Sequence, residues 1–343
     1  MSAIWKLKEV VDDLSAPERA LFDRIYEFYV EEGRLVLPEG LRDWAYSRFG
    51  ECEVQKIVRV INKITFESTL FNELRARRPI DVKAKEDIYQ TIEETKGDFF
   101  CDPLNKTPSD VFGRVEGDHA ITASNIAKYD YLHGVIVFKK HTPFSFSKDE
   151  VRDYLKVAWN WIKRANEFHP ESRYPFFMWN CLWKAGASIV HGHAQVLVSK
   201  KPYGRPAFFS KIRKSYEKTF NSEYLEDLLK VHDSLGLGFE VEGVKGFAHL
   251  TPIKEKEVCI VSKDFFSLAE PISKVLTVFY DLGVRSFNVA VYMPPISEED
   301  FYLARIVDRG DPYARTVDIG GMELYGGTPV VASDPFKVVE FLK

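Results

Sequence analysis

Residues 186–198 read GASIVHGHAQVLV, and this stretch decides the fold assignment. Successive side chains of a β-strand point to opposite faces of the sheet. His191, His193 and Gln195 therefore share one face, and the apolar residues between and after them share the other. The pattern predicts a strand with one polar, accessible face and one buried face.

The polar face has side chains that can act in catalysis or bind a metal. Two imidazoles and an amide place a nucleophile or a metal ligand beside a neutral hydrogen-bond donor, within reach of one phosphate group. The small side chains of residues 186–188 let the backbone approach an anion closely. Taken alone, the His-x-His spacing fits three kinds of site: a nucleophile, a pair of metal ligands, or two strand histidines with satisfied hydrogen bonds.

The order of predicted elements repeats along the chain. A strand, a long helix and two strands are expected at 134–139, from Ser147 onward, at 175–180 and at 193–199. The same order follows with strands at 257–262, 286–293 and 301–307 and a helix reaching about residue 282. We therefore predict an α+β fold made of two copies of one unit.

The remaining segments complete the predicted domain organisation. Residues 1–85 are expected to be mainly helical, with a capping box at Ser15 and Glu18 and a helix end near Gly33. The first unit is expected at 86–205, a charged helical connector at 206–240 and the second unit at 241–343.

The composition of the chain argues against several classes of function. The 343 residues are 45% hydrophobic, and 47 Lys and Arg nearly balance 51 Asp and Glu, so a polyanionic partner such as nucleic acid is not expected. The four cysteines are widely spaced, which favours a reducing compartment. No apolar run approaches the roughly 20 residues that span a bilayer. These features predict a cytoplasmic protein without a membrane or nucleic-acid partner.

The motif resembles that of a known family. The chain is similar to the galactose-1-phosphate uridylyltransferase branch of the histidine-triad superfamily at Asn180, Ser188, His191, His193 and Gln195. The resemblance implies two histidine-triad-like units, each an antiparallel sheet with helices. It also implies that His193 attacks an α-phosphorus, that Gln195 steadies the phosphoryl oxygens, and that Asn180 and Ser188 contact the nucleotide.

Further substrate positions follow from the same resemblance. Arg75 and Arg78 match a phosphate clamp, Asn125 an asparagine that contacts the nucleotide, and Glu323 a hexose-binding glutamate. Two other hexose positions depart from the family pattern, since Val317 and Pro329 stand where a lysine and a glutamine are found. The nucleotide positions thus match more fully than the hexose positions.

A structural zinc site is also implied. Its ligands would be Asp98, Cys101, His141 and His191, with Asp98 where the family has a cysteine. Carboxylate, thiolate and imidazole groups all bind zinc in tetrahedral sites. The alternative is that Cys101 is a buried thiol without a metal. A second family metal site is not expected, because Leu303 and Arg305 replace its His-x-His pair.

The expected activity is nucleotidyl transfer through a covalent nucleotidyl-histidine. The leading version exchanges uridylyl groups between UDP-glucose and galactose 1-phosphate, so the expected partners are a nucleoside diphosphate sugar and a sugar 1-phosphate. An ADP-sugar or dinucleoside polyphosphate phosphorylase and a non-catalytic nucleotide-binding module are the alternatives. The resemblance also implies a homodimer.

Overall fold

Two β-sheets organise the chain, of which the computed structural model describes residues 3–77, 87–314 and 319–343. The strands are β1 (Tyr26–Arg34), β2 (Val54–Asn62), β3 (Ser68–Phe71), β4 (Ala120–Ser124), β5 (Leu132–Phe138), β6 (Tyr174–Asn180), β7 (His193–Ser199), β8 (Gly238–Val241), β9 (Val244–Ala248), β10 (Val258–Ser262), β11 (Phe287–Tyr292), β12 (Tyr302–Asp308) and β13 (Val330–Val331). The helices are α1 (Leu7–Asp12), α2 (Ala16–Ile25), α3 (Glu39–Phe49), α4 (Ile88–Glu94), α5 (Pro103–Lys106), α6 (Lys148–Phe168), α7 (Gly204–Phe220), α8 (Tyr224–Ser234), α9 (Ala269–Asp281), α10 (Gly321–Leu324) and α11 (Pro335–Glu340). No helix of these described ranges combines the length and the apolar composition needed to cross a bilayer.

The larger sheet is built from two related halves. Its strand order is β4-β5-β7-β6-β11-β12-β10-β9-β8, so β4 to β7 with α6 form a first unit, and β9 to β12 with α9 form a second unit in mirrored order. The halves meet where β6 and β11 pair antiparallel, with Met178 opposite Ala290. The predicted α+β fold of two units is confirmed, and the predicted domain boundaries stay a prediction.

Helix α6 covers one face of the first unit. The Ser147 hydroxyl and backbone N–H both donate to the Glu150 carboxylate, at 2.7 and 2.9 Å, and form a capping box. An apolar stripe of α6 is buried in the main core: Val151, Tyr154, Leu155, Ala158, Ile162 and Ala165. Ile136 of β5 and Val196 of β7 belong to the same core, so the odd-numbered residues of these two strands face away from α6.

The segment before the first unit needs a correction. The capping box at Ser15 and Glu18 is present, but α2 ends at Ile25, and Gly33 lies in β1 rather than at a helix end. Strands β1, β2 and β3 occupy a region that we expected to be mainly helical. Less exposed and more exposed residues alternate along much of β1, which is the period of a strand. Nine residues of β1 pair in register with β2, and this long-range pairing overrides the local helical signals.

Candidate active site and metal cluster

A cavity of about 310 Å³ opens on the sheet face that α6 leaves uncovered. His193 and Gln195 of β7 line it, together with Ser188, Asn125 and Phe100. The face that we predicted to be accessible is largely buried, since His193 and Gln195 are each only 6% exposed. Phe100 packs over it with residues of β4 and β5 in a small separate apolar cluster, so the cavity is the route by which a ligand reaches His193.

The His193 ring is held in one orientation. Its Nδ1 lies 2.8 Å from the backbone carbonyl oxygen of His191. A carbonyl only accepts, so Nδ1 carries the proton and Nε2 keeps its lone pair. The Phe100 ring packs edge-on against the imidazole, with centroids 5.4 Å apart. Burial lowers the pKa of His193, although the His191 carbonyl opposes this shift, and the ring is uncharged at neutral pH.

His133 of β5 fixes the orientation of the Gln195 amide. The Tyr129 backbone N–H donates to His133 Nδ1 at 3.0 Å, which leaves Nε2 protonated. That Nε2 lies 2.8 Å from Gln195 Oε1 and donates to it, and His133 is fully buried. Asn125 Nδ2 also lies 3.4 Å from His133 Nε2, but two donors cannot bond each other, so the shorter contact to Gln195 decides the tautomer. The Gln195 NH₂ group is then the part left for a ligand.

Backbone and small side chains form another part of the cavity wall. Gly186 has a left-handed φ of 96° and lines the cavity with Ser188. A residue with a Cβ would be strained at this φ, so the expected close approach of backbone to a ligand is consistent with glycine here. Asn125 lines the same cavity, and its Oδ1 accepts a hydrogen bond from the Ala127 backbone N–H at 3.0 Å.

The four predicted metal ligands converge at one point. Asp98, Cys101, His141 and His191 each offer one donor atom, and these atoms all lie within 4.8 Å of one another. His141 Nδ1 and His191 Nδ1 are 3.1 Å apart, and Asp98 Oδ1 lies 3.1 Å from His191 Nδ1. The cluster brings together residues that are widely separated in the sequence.

The protonation pattern of this cluster fits a cation. His141 Nε2 lies 2.9 Å from the Ile92 carbonyl and His191 Nε2 lies 2.8 Å from the Phe138 carbonyl, so both Nε2 atoms donate. Both Nδ1 atoms then carry lone pairs that point at each other and at a carboxylate, an arrangement that a bound cation stabilises. Asp98 Oδ2 is buried and has no hydrogen-bond partner among the described residues. The donor set of one thiol, one carboxylate and two imidazoles fits zinc.

Arg75, Asn180 and Glu323 are not among the residues that line the His193 cavity. Arg75 is exposed in the short helical turn Glu73–Arg77, and the carboxylate of Glu323 caps α10 by accepting from the Gly320 backbone N–H at 2.9 Å. Asn180 ends β6, and its Oδ1 accepts from Asn288 Nδ2 at 2.6 Å. Arg78 lies outside the described residues, as does Val317.

His133 and Phe100 belong to the site but lie outside the motif that the sequence displays. Strand alternation in LHGVIVF already placed His133 on the same face as Val135 and Val137. That it reaches Gln195 depends on the register between β5 and β7, in which Val135 lies opposite Gln195, and this register cannot be read from the sequence. Phe100 comes from a loop, so no periodic signal indicated that it covers the site.

Comparison with solved structures identifies the fold. An ADP-glucose phosphorylase from Arabidopsis thaliana with bound ADP-glucose aligns with a TM-score of 0.60 and 16% identity, covering 81% of this chain and 95% of the other. A uridylyltransferase aligns with a TM-score of 0.59 and 14% identity over 84% and 97% of the two chains. The chain has the fold of the galactose-1-phosphate uridylyltransferase family. A GalT-like protein from Arabidopsis thaliana aligns with a TM-score of 0.55 and 17% identity, covering 72% of this chain and 92% of the other.

Sequence comparison alone does not identify this fold. No family model matches the chain, and no curated protein matches it. The uridylyltransferase fold is therefore assigned from the backbone, and the activity has to be argued from the site.

Proposed function

We propose that the protein is a nucleotidyltransferase that forms a covalent nucleotidyl-His193 intermediate. The observation that carries this proposal is the uncharged His193 ring, which lines a cavity while its Nδ1–H is held by the His191 carbonyl. A neutral imidazole with a free Nε2 lone pair is a competent nucleophile without a separate base. The shared fold with uridylyltransferase and ADP-glucose phosphorylase structures supports the same class of reaction.

The proposed cycle has two displacements. His193 Nε2 forms a bond to the α-phosphorus of a nucleoside diphosphate sugar, the bond from that phosphorus to the bridging oxygen breaks, and sugar 1-phosphate leaves. The ring proton stays on Nδ1, where the His191 carbonyl stabilises the developing positive charge. A phosphate oxygen of the second sugar 1-phosphate then attacks the same phosphorus and releases His193.

The remaining polar groups of the cavity act on the phosphoryl oxygens and the nucleotide. The Gln195 NH₂ group, fixed by His133, donates to a phosphoryl oxygen as charge develops on it. Ser188 and Asn125 line the cavity and contact the nucleotide. Asp98, Cys101, His141 and His191 would hold a structural zinc ion, which would anchor the backbone around His191 when bound.

The leading donor and acceptor are UDP-glucose and galactose 1-phosphate. One observation favours a second candidate, an ADP-sugar phosphorylase: a structure with bound ADP-glucose aligns over 95% of its length. In that reaction inorganic phosphate would collect the nucleotidyl group from His193. A homodimer and a cytoplasmic location remain predictions, as do substrate contacts by Arg75, Arg78, Asn180 and Glu323.

A labelling experiment tests the function. Protein is incubated with UDP-glucose or ADP-glucose labelled in the α-phosphate, quenched, and assayed for label that is acid-labile and base-stable. We expect stoichiometric label from one donor and none in His193→Gly. His169→Gly is the matched control, because His169 is the C-cap of α6, where glycine is tolerated. Label that persists in His193→Gly, or that no donor produces in the unmodified protein, would overturn the proposal.

A further inference from the structure

A second cavity of about 250 Å³ lies on the same sheet face, over the second unit. Strands β11 and β12 supply Tyr292 and Arg305, and the first turn of α7 supplies Arg205. Phe66 and Phe208 add two aromatic rings to its wall. None of these residues takes part in the proposed reaction at His193.

The strand register relates this cavity to the first one. Gln195 lies opposite Met178, Met178 opposite Ala290, and Ala290 opposite Arg305. The approximate twofold axis passes between Met178 and Ala290, so Arg305 occupies in the second unit the place that Gln195 occupies in the first. Leu303, two residues earlier in β12, then takes the place of His193. The second unit keeps a cavity at the equivalent position but has Leu303 in the place of the nucleophile.

The buried arginine retains unused hydrogen-bonding capacity. Arg305 is 7% exposed, its Nε donates to Glu257 at 2.6 Å and its Nη1 donates to Glu67 at 2.7 Å. Its Nη2 is buried and has no hydrogen-bond partner in the part of the chain that the structure describes. An unpaired donor on a buried cation carries a substantial desolvation cost, which a ligand oxygen would offset.

A second positive charge stands at the edge of this cavity. Arg205 is exposed near the N-terminus of the 17-residue helix α7, where the helix dipole also favours an anion. Among the described residues, no carboxylate forms an ion pair with its guanidinium, although its charge helps to lower the pKa of Glu67. Arg305 is shared by two carboxylates, Glu67 and Glu257, so the charge of Arg205 balances the second of them, and the Nη2 donor of Arg305 is the group that remains for a ligand.

The two aromatic rings are unusually exposed. Phe66 is 74% exposed and has a left-handed φ of 60°, and Phe208 is 49% exposed. A non-glycine residue at such a φ is strained, and strain of this kind is concentrated at functional sites. Exposed rings beside a pair of cations suit a ligand that has both a planar ring and an anionic group.

We propose that this cavity binds a second, unreacted nucleotide. The base packs against Phe66 and Phe208, and the phosphate oxygens accept hydrogen bonds from Arg205 and from Arg305 Nη2. The bound nucleotide is not transferred, because Leu303 stands where a nucleophile would be needed. This site does not depend on the reaction at His193.

Titration calorimetry with ADP and, separately, with UDP tests the proposal. We expect two nucleotides per chain for at least one of these probes in the unmodified protein. Arg205→Gln should weaken the second binding event about 10- to 100-fold, the effect of removing charge-assisted hydrogen bonds. Lys211→Gln is the matched control, since Lys211 is an exposed cation on the same helix and does not line the cavity.

Calorimetry also tests whether Phe208 contacts the nucleotide, and labelling tests whether this site is independent of His193. Phe208→Ala should also weaken the second event, and inorganic pyrophosphate should bind there more weakly than the nucleotide. Label at His193 should be unchanged in Arg205→Gln, so loss of label and loss of the second nucleotide are separable results. A single nucleotide per chain with both probes would overturn the proposal, as would pyrophosphate binding as tightly as the nucleotide.

Discussion

At the residue scale, the orientation of one amide depends on a buried histidine outside the sequence motif. Gln195 can present either its oxygen or its NH₂ group to a phosphate, and only the NH₂ group can donate. His133 Nε2–H occupies the oxygen and so selects the useful orientation. His133 is a positioning residue, because it acts through Gln195.

This role gives a prediction for nucleotidyl transfer. His133→Leu removes the donor and should slow the single-turnover labelling of His193 by roughly 10- to 100-fold, as outer-shell substitutions do at other sites. The substitution should lower the rate of transfer more than it raises the donor concentration needed for half-saturation. His133→Gln keeps an N–H near the former Nε2 and should restore much of the rate. Equal rates for the leucine and glutamine variants would contradict the role.

The residues that the sequence could identify are those on one strand or in one motif. His193 and Gln195 follow from the alternation of β7, and the four-residue cluster at Asp98 follows from a family spacing. His133, Phe100 and Arg205 reach their sites from β5, from a loop and from α7. Their positions depend on strand register and loop path, which only the folded chain defines.

At the element scale, the metal cluster ties a short helical turn to the strand that bears the nucleophile. Asp98 and Cys101 belong to the turn at Phe99–Cys101, and His191 precedes β7. We expect about one zinc ion per chain by elemental analysis, and a lower melting temperature after chelation. Cys101→Ser should lose the metal, whereas Cys52→Ser should keep it, because Cys52 lies in a different apolar cluster. A zinc content that is the same in both variants would rule out this ligand set.

The start of α6 supports a second prediction at this scale. Burial alone would raise the pKa of Glu150, but hydrogen bonds from Lys140, Ser147 and Ser145 lower it to about 2. Its folded-state pKa therefore lies below the unfolded value near 4.5, so its contribution is complete above that value and is lost as the pH falls towards 2. Glu150→Gln should lower the free energy of unfolding by about 1–2 kcal/mol at pH 7.

Denaturant unfolding across this pH range checks the assignment. The difference between Glu150→Gln and the unmodified protein should shrink steadily below pH 4.5, since the carboxylate becomes protonated in both states. Glu116→Gln is the control, because Glu116 pairs with Lys139 on the exposed surface and such pairs contribute only about 0–1 kcal/mol. A difference that stays constant down to pH 2 would show that the charge of Glu150 is not responsible.

At the scale of the whole molecule, a buried ion-pair network joins the smaller sheet to the second unit. Glu67, in the turn between β2 and β3, accepts from Arg305 of β12, which also binds Glu257. Glu67→Gln should lower the free energy of unfolding by roughly 1–3 kcal/mol, because it weakens a hydrogen bond of a buried cation that Glu257 still neutralises. Glu171→Gln, which breaks the exposed pair with Lys200, should change it by less than about 1 kcal/mol. Chemical denaturation of both variants measures the contrast.

The overall architecture was predictable only where local patterns repeat. The order of strand, helix and two strands appeared twice in the sequence, and the large sheet follows that order in mirrored form. The smaller sheet was missed because Glu31, Glu32 and Gly33 interrupt the apolar alternation of β1. Its strands are stabilised by pairing with β2 and β3, which is a property of the assembled chain.

The pairing of β6 with β11 also indicates how either half of the large sheet would behave as a separate chain. Without the other half, β6 or β11 would become an edge strand, and its unpaired backbone N–H and C=O groups could pair with a strand of another molecule. The strand best suited to fill that gap is the same strand from a second molecule, approaching in the opposite direction as β11 does for β6. An ancestral single-copy protein with this topology would thus have assembled as a symmetric pair before one gene encoded both parts.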